Sequence, residues 1–488
     1  MMDIECFQKL FAELTHFREN RFHPLVWING EPDIGKNVYI GGMSEINANG
    51  ALVSIGDNCD IASFVSINCA DSHKKSIGLV EEIERRDITI EESVFIGSHC
   101  VIKGGAYIGH HSVVAAGTIV EGVTIPPYSL VIGNPMQVKE RYYLRQRVRN
   151  IPHNKPTTGS EEEQAVIRVI RSGYLSQGQE VEALEKEFCE FVGLPQGHAV
   201  AVSSGTAALF LALTALDAKG KGVAFPAYVC SSLRNAVAMV GANEVLVDNA
   251  PGSPNINIEA LKRCESRVAI VPHMFGIPVD VSNLSGIEII EDCAQALGAK
   301  VRGTYVGLQG KIGVFSFYAT KLLTSGGQGG MVVSSDNSLV NIMRDYREFD
   351  QRKDNKARFN FQMTDLQAAV GRVQLHKIPL FLERREDIFT RYQAEGLDLL
   401  DVLEEDKDTI KPVRYRAVLK TGQPERLIAS LEKKGIKAIV PIEDWELLGR
   451  PELFPEALRL TKQTLSLPIY PSLSNDDIAS IIEGVKGG

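Results

Sequence analysis

The 488-residue chain contains no run of about 18 apolar residues, so no transmembrane helix is expected. It has no Cys-x-x-Cys pair. Its eight cysteines (Cys6, Cys59, Cys69, Cys100, Cys189, Cys230, Cys264, Cys293) stand singly, which predicts reduced thiols and excludes a disulfide or zinc framework. Positive charge is in deficit: 52 Lys and Arg against 61 Asp and Glu give −9. No global field therefore favours nucleic acid or an anionic membrane, and only a local basic patch is left open. The N-terminus lacks a basic segment followed by an apolar one. Instead Ile4, Phe7, Phe11 and Leu14 recur at helical spacing, predicting a short amphipathic helix within residues 1–24. Together these absences describe a cytoplasmic protein without metal. With 44% apolar and 23% charged residues, disorder and fibrous architectures are excluded, and the length predicts two or three domains.

The first third carries a six-residue repeat of large aliphatics. One run is Ile34, Ile40, Ile46, Leu52; a second, shifted in phase, is Ile55, Ile61, Ile67; a third is Ile90, Ile96, Ile102, Ile108, Val114, Val120. Four residues after each of the first five members of the third run lies a compact side chain: Val94, Cys100, Ala106, Ser112, Thr118. A period of six fits a chain that turns a corner every six residues, three corners per coil, with the aliphatics pointing inward. The repeat is broken after Ile67 by an excursion containing Asp71 and His73 and resumes at Ile88. Such a departure from a solenoid is usually functional.

This pattern resembles the left-handed parallel β-helix of the hexapeptide acyltransferases over residues 25–140. The segment Ile125-Pro-Pro-Tyr-Ser-Leu-Val-Ile-Gly-Asn-Pro135 is similar to that family's closing coil. The resemblance implies a trimer with acetyl-CoA in the crevice between subunits, lined by Ala116, Gly117, Gly133 and Asn134. It implies His73 as the base that deprotonates an attacking amine or hydroxyl, a task imidazole suits because it titrates near neutrality. His99, His110 and His111 are rivals for that role. The basic run Arg141, Arg145, Arg147, Arg149 reads as a solvated helix face, with contact to a CoA phosphate as the alternative. Residues 141–157, with Pro152 and Pro156, read as a linker.

Beyond it, short apolar runs alternate with helical stretches, predicting an α/β domain with a mostly parallel sheet. Candidate strands are 199–203, 222–226, 244–248, 268–272, 287–292, 313–318 and 329–334. Polar groups cluster at their ends: Ser203-Ser-Gly205-Thr206 before a helix, Asp292 with Gln295, and Ser316 with Lys321 ahead of Gly326-Gly-Gln328-Gly-Gly330. A glycine at a helix start lets free N–H groups meet an anion. An acidic residue ending an apolar strand calls for a cation.

These pieces, with Ser172-Gly-Tyr-Leu-Ser-Gln-Gly178, Phe225-Pro-Ala-Tyr228, Pro272-His-Met-Phe-Gly276, Phe359-Asn360-Phe-Gln-Met363 and Leu465-Ser-Leu-Pro-Ile-Tyr-Pro-Ser472, resemble in order and spacing the DegT-type, fold-type I pyridoxal-phosphate sugar aminotransferases. The resemblance implies a large cofactor-binding domain at 158–379 and a small C-terminal α+β domain at 380–488. It implies Lys321 as the Schiff-base lysine and Asp292 as the partner of the pyridinium nitrogen. Gln295 would bond the ring's phenolic oxygen, and Tyr228 would stack on the ring, plain core packing being its alternative. Gly205, Thr206 and Ser316 would hold the phosphate, joined by Asn360 from a neighbouring subunit. Gln362 stands where an arginine is common, and Ala438-Ile-Val-Pro-Ile442 replaces a usual His-Tyr-Pro stretch. The combined expectation is a bifunctional enzyme that aminates a nucleotide-linked keto-deoxysugar, with glutamate as donor, and N-acetylates the product from acetyl-CoA. The alternatives are a single-activity aminotransferase on a trimerising scaffold, or O-acetylation of another acceptor. Trimeric and dimeric modules together predict a hexamer.

Overall fold

The computed structural model describes residues 25–143 and 150–488, with six isolated positions (6, 9, 10, 13, 21 and 22) ahead of them. The expected N-terminal helix and most of the basic run therefore lie outside the described residues. The chain divides into two compact units, Met1–Val148 and Arg149–Gly488.

In the first unit, strands of two to four residues visit three parallel sheets in rotation. Ile90 pairs with Ile108, Ile96 with Val114 and Ile102 with Val120, so each coil there takes eighteen residues. All six of these side chains are at most 1% exposed, and the compact residues between them, Val94 to Thr118, are buried with them. β-branched side chains suit this packing because their stiff rotamers stack in register. The inward columns Ile34–Ile55, Ile40–Ile61 and Ile46–Ile67 step by twenty-one residues instead. The three extra residues fall at one corner, which corrects the first run of the repeat. Leu52 is 58% exposed and Val53 takes the buried position. A last strand, Gln137–Lys139, turns back antiparallel on Leu130–Ile132 and ends the coil.

The second unit is built on a seven-stranded sheet. Its strands are β1 (Ala199–Val202), β2 (Gly222–Pro226), β3 (Asn243–Val247), β4 (Val268–Pro272), β5 (Glu288–Asp292), β6 (Ile312–Ser316) and β7 (Gly330–Val333), in the order β1-β7-β6-β5-β4-β2-β3. Only β7 runs against the others. β1, β4 and β7 are buried at every position, as a sheet covered on both faces requires. The helix α1 (Gly205–Ala215), apolar almost throughout, packs in the core on one face. The other face carries Val181, Leu184 and Phe188 of a flanking helix.

Helix α2 (Asp365–Ala394) is a single 30-residue element, opened by a reciprocal Thr364–Gln367 capping box and holding Pro379 within it. The expected boundary at 379/380 thus falls inside a continuous helix. Beyond it, β8 (Ala417–Lys420) pairs with β9 (Thr464–Leu467), and helices over Pro424–Lys433 and Asn475–Lys486 cover them around Leu431, Leu465, Leu467 and Ile481. The supposed linker joins this core. Ile151 is 3% exposed and bonds through its backbone to Gly435 and Lys437, while the Asn154 amide donates to the Thr320 carbonyl.

Candidate active site

The parallel strands of the second unit end on one cavity of about 750 Å³. That is the position at which open α/β sheets bind ligands, and the volume is ordinary for a cofactor site. Gly205 and Thr206 from the start of α1, Asp292 from the end of β5, Gln295, Ser316 from the end of β6 and Lys321 all line it. The sequence separates these residues by up to 116 positions, and the fold brings them together.

The helix start is shaped for close approach. Ser204 caps α1 by accepting from the Ala207 N–H, 3.1 Å away. A Cβ on Gly205 would lie 2.9 Å from the Ser316 Cβ, and one on Gly330 would lie 2.7 Å from the Ser204 backbone. Glycine at both places keeps the free N–H groups of the first turn and the Ser316 hydroxyl on one side of the cavity.

Asp292 is buried and accepts from the Ala294 N–H at 3.0 Å. No cation pairs with it among the described residues, and burial raises its acid against the opposing pull of that N–H, Lys321 and His273. Its neighbour Glu291 is equally buried but saturated. It accepts from the N–H groups of Gly307, Gln309 and Gly310 and from His273 Nε2. Burial alone would raise the Glu291 carboxyl; the His273 bond and these backbone donors hold it below its ordinary value. The Val279 N–H donates to His273 Nδ1, so the ring proton sits on Nε2 and points at Glu291. The trio His273, Glu291 and Cys293 offers ligand atoms within 4.8 Å of one another, but the carboxylate oxygens are already engaged.

Gln295 accepts the Phe275 N–H through Oε1 at 2.7 Å, holding Phe275 at φ 60°. Its Nε2 donors remain for a ligand oxygen. These groups fit pyridoxal 5'-phosphate: a buried carboxyl that lacks a cation, a helix start open to a phosphate, an amide donor and a lysine.

Two further expected residues lie off this cavity, Asn360 having been expected at a neighbouring subunit's phosphate. Tyr228 is wholly buried, packs edge-on against Phe275 with centroids 6.2 Å apart, and does not line the cavity. That placement favours core packing, the alternative to its expected stacking role; the strand's exit turns Tyr228 inward and presents Val229 and Cys230 to the cavity. Asn360 is exposed, accepts from the Gln362 N–H, and also lies off the cavity of its own chain.

Sequence reasoning missed Tyr415, Arg416 and Trp445, which close the cavity from the C-terminal side. Lys321 Nζ lies 5.1 Å and Arg416 Cζ 5.6 Å from the centroid of the Tyr415 ring. Trp445 is 78% exposed at the mouth. None follows a motif that a sequence displays, since Tyr415 and Arg416 come from irregular chain and Trp445 from a single 3-10 turn, all more than ninety residues beyond Lys321.

In the first unit, Asp71 and His73 lie on a hairpin excursion formed by Ala70–Asp71 and Glu84–Arg85. Asp71 Oδ1 is 2.5 Å from His73 Nδ1, and that contact holds the Asp71 carboxyl below its ordinary value. The pairing leaves Nε2 of an exposed imidazole available. His99 stacks on Phe64 at 4.9 Å, and His110 and His111 contact each other and Tyr128. Ala116 and Gly117 are exposed at one corner. The Gly133 N–H, beside Asn134 at the next coil's corner, donates to Thr118 Oγ1 at 3.1 Å.

Comparison with known proteins bears on the two units unequally. Residues 87–121 match the hexapeptide repeat of succinyl-transferase. Residues 156–486 match the DegT/DnrJ/EryC1/StrS aminotransferase family. The chain is 31% identical to the spore coat polysaccharide biosynthesis protein SpsC of Bacillus subtilis (strain 168), over 70% of this chain and 98% of SpsC. It is 28% identical to the GDP-perosamine synthase of Vibrio cholerae, over 69% of this chain and 98% of that one. Among solved structures, the apo-form of the putative sugar aminotransferase Spr1654 from Streptococcus pneumoniae superposes with a TM-score of 0.65 at 25% identity, covering 69% of this chain and 97% of Spr1654. With the lysine, the buried aspartate and the open helix start converging on one cavity, the chain belongs to the DegT/DnrJ/EryC1/StrS aminotransferase family.

Proposed function

We propose that the Arg149–Gly488 unit moves an amino group from an amino-acid donor, glutamate in the first instance, to the keto carbon of a nucleotide-linked deoxysugar. The observation that carries this reading is the convergence of Lys321, Asp292, Gln295, Ser316, Gly205 and Thr206 on one cavity. The names of relatives support the substrate class, one being a GDP-perosamine synthase and another a polysaccharide biosynthesis protein. Pyridoxal 5'-phosphate, when bound, supplies an electron-accepting ring and a carbonyl that carries the amino group between substrates. The chain's own groups do the rest. Gly205, Thr206 and Ser316 hold the phosphate, and Asp292 keeps the ring nitrogen protonated. Gln295 donates to the phenolic oxygen. With the cofactor bound, Lys321 Nζ would hold its carbonyl end and would move a proton at the reacting carbon of the substrate. Asn360, off its own cavity, is assigned to the phosphate of a dimer mate. The test is a mass-spectrometric screen of keto-sugar nucleotides with glutamate; absence of any amino-sugar product from protein loaded with cofactor would refute the reading.

The Met1–Val148 unit is proposed as a left-handed β-helix that assembles as a trimer, making the whole chain a hexamer when combined with dimeric aminotransferase units. In its simplest role it is a scaffold. A second reading, acetylation of the newly made amine or of a hydroxyl from acetyl-CoA, rests on the Asp71–His73 pair. In that reading His73 Nε2 removes the proton of the attacking nucleophile and Asp71 orients the ring. Ala116, Gly117, Gly133 and Asn134 are assigned to the acetyl-CoA arm. Repeating the screen with acetyl-CoA discriminates: a product heavier by one acetyl group, formed only with both co-substrates, supports transfer, and its absence leaves the scaffold.

A further inference from the structure

Several arginines around the core of the second unit are neutralised by carboxylates, though others such as Arg385 carry no ion pair among the described residues. Arg347 contacts Glu185 and Glu348, Arg358 contacts Asp345 and Asp354, Arg372 contacts Glu180 and Glu187, and Arg414 contacts Glu386 and Asp401. Arg416 differs. It lines the active-site cavity, and no carboxylate lies within ion-pair distance of it among the described residues. Its Nη1 donates to His153 Nε2 at 3.3 Å and, longer, to Ser466 Oγ at 3.4 Å, while His153 and Ser466 lie 2.8 Å apart. The guanidinium is thus steadied by two neutral groups that spend one corner of its five-donor fork. Beneath it, Arg385 is fully buried and donates only to the carbonyls of Arg414, Tyr415 and Ile469. Glu446 also lines the cavity, but no carboxylate among the described residues pairs with Arg416 or Arg385, and a half-buried cation without a partner is costly unless a ligand supplies the anion.

Resting on the amino-transfer reading above, we propose that Arg416, held by His153 and Ser466, seats the carboxylate of the amino-acid donor. Reach favours the donor over the sugar nucleotide. Lys321 Nζ and Arg416 border the same Tyr415 ring, and an α-amino acid keeps its nitrogen and its carboxylate on one carbon. A nitrogen presented where Lys321 reacts therefore brings its carboxylate toward the guanidinium, whose planar fork matches two carboxylate oxygens. Burial and the nearby charges of Arg416, Lys437 and Arg385 pull His153 down to about 3, so the imidazole stays neutral and accepts from Arg416 rather than repelling it.

The probe is glutarate, which has the carboxylates of the donor and no amine to react, titrated calorimetrically into full-length protein loaded with cofactor. Arg416→Gln should weaken glutarate binding by about tenfold to a hundredfold, the usual cost of losing a charge-assisted pair, and Arg416→Lys by less. Single turnovers give the second measurement. The glutamate half-reaction should need correspondingly more glutamate, while the half-reaction with the keto-sugar nucleotide keeps its concentration dependence. Unchanged glutarate affinity in both variants overturns the proposal, and so does a loss confined to the sugar-nucleotide half-reaction. Yellow colour after loading reports separately on the amino-transfer reading: a colourless wild type sinks that reading, whereas a yellow protein indifferent to Arg416 sinks this inference alone.

Discussion

Asp292 and Glu291 are neighbours on one strand, both removed from water, yet they meet opposite electrostatic conditions. Glu291 is ringed by donors and stays ionised at no further need; Asp292 has one N–H and waits for a cation. Removing the charge of Asp292 should therefore separate stability from function. In the cofactor-free protein Asp292→Asn is expected to leave the melting temperature unchanged or raised, since an unpaired buried carboxyl is a liability. Its affinity for pyridoxal 5'-phosphate should fall by about tenfold or more, the loss of an ion pair with the ring nitrogen. Thermal scans with and without cofactor check both halves. His153 makes a pH prediction. Its unfolded value is 6.5 and its folded value about 3, so between these the unfolded chain binds more protons and stability falls as the solution is acidified. The contribution is whole above pH 6.5 and drains toward pH 3. His153→Gln should flatten that slope, by up to about 2 kcal/mol between pH 6.5 and pH 5, as read from denaturant midpoints.

The elements of the aminotransferase unit were legible where apolar runs were short and unbroken. Gly222–Pro226 and Val268–Pro272 form strands over the expected residues, because only a strand buried on both faces tolerates such runs. The six-residue repeat was legible for the same reason, each aliphatic serving one inward position, until a corner lengthened and Leu52 fell outside. The long helix was not divided where a domain boundary was expected, because its capping box and continuous buried face carry it past Pro379. Gly330 tests how β7 and α1 share the phosphate seat. A methyl group there meets backbone atoms of Ser204 and Gly205 that cannot rotate away. Gly330→Ala should displace the start of α1 and weaken cofactor binding by about tenfold, equivalent to 1.4 kcal/mol, in a fluorescence or absorbance titration.

At the scale of the whole molecule, the two units make separate predictions. Lys321→Ala should leave a colourless protein without amination, down by at least about 10²-fold, while any acetylation of a supplied amino sugar persists. His73→Ala should leave amination intact and, if the first unit is an acetyltransferase, cut acetyl transfer by about 10²–10⁴-fold. Loss of both activities in either variant would tie the sites together and contradict the division. By itself the sequence determined the six-residue repeat, the mostly parallel sheet and a set of motif residues that the fold gathers at one cavity, because hydrophobic period and strand-end polarity are local: Lys321, Asp292, Gln295 and the Gly205 turn all line it. Tertiary structure alone decided what comes from irregular chain far away. It buried Tyr228 and opened Cys230 to the cavity, turned a supposed linker into the anchor of Ile151 and His153, and brought Tyr415 and an unpaired Arg416 beside Lys321. A side chain's direction at a strand exit and its charge balance across ninety residues depend on packing, and no pattern of neighbours along the chain encodes them.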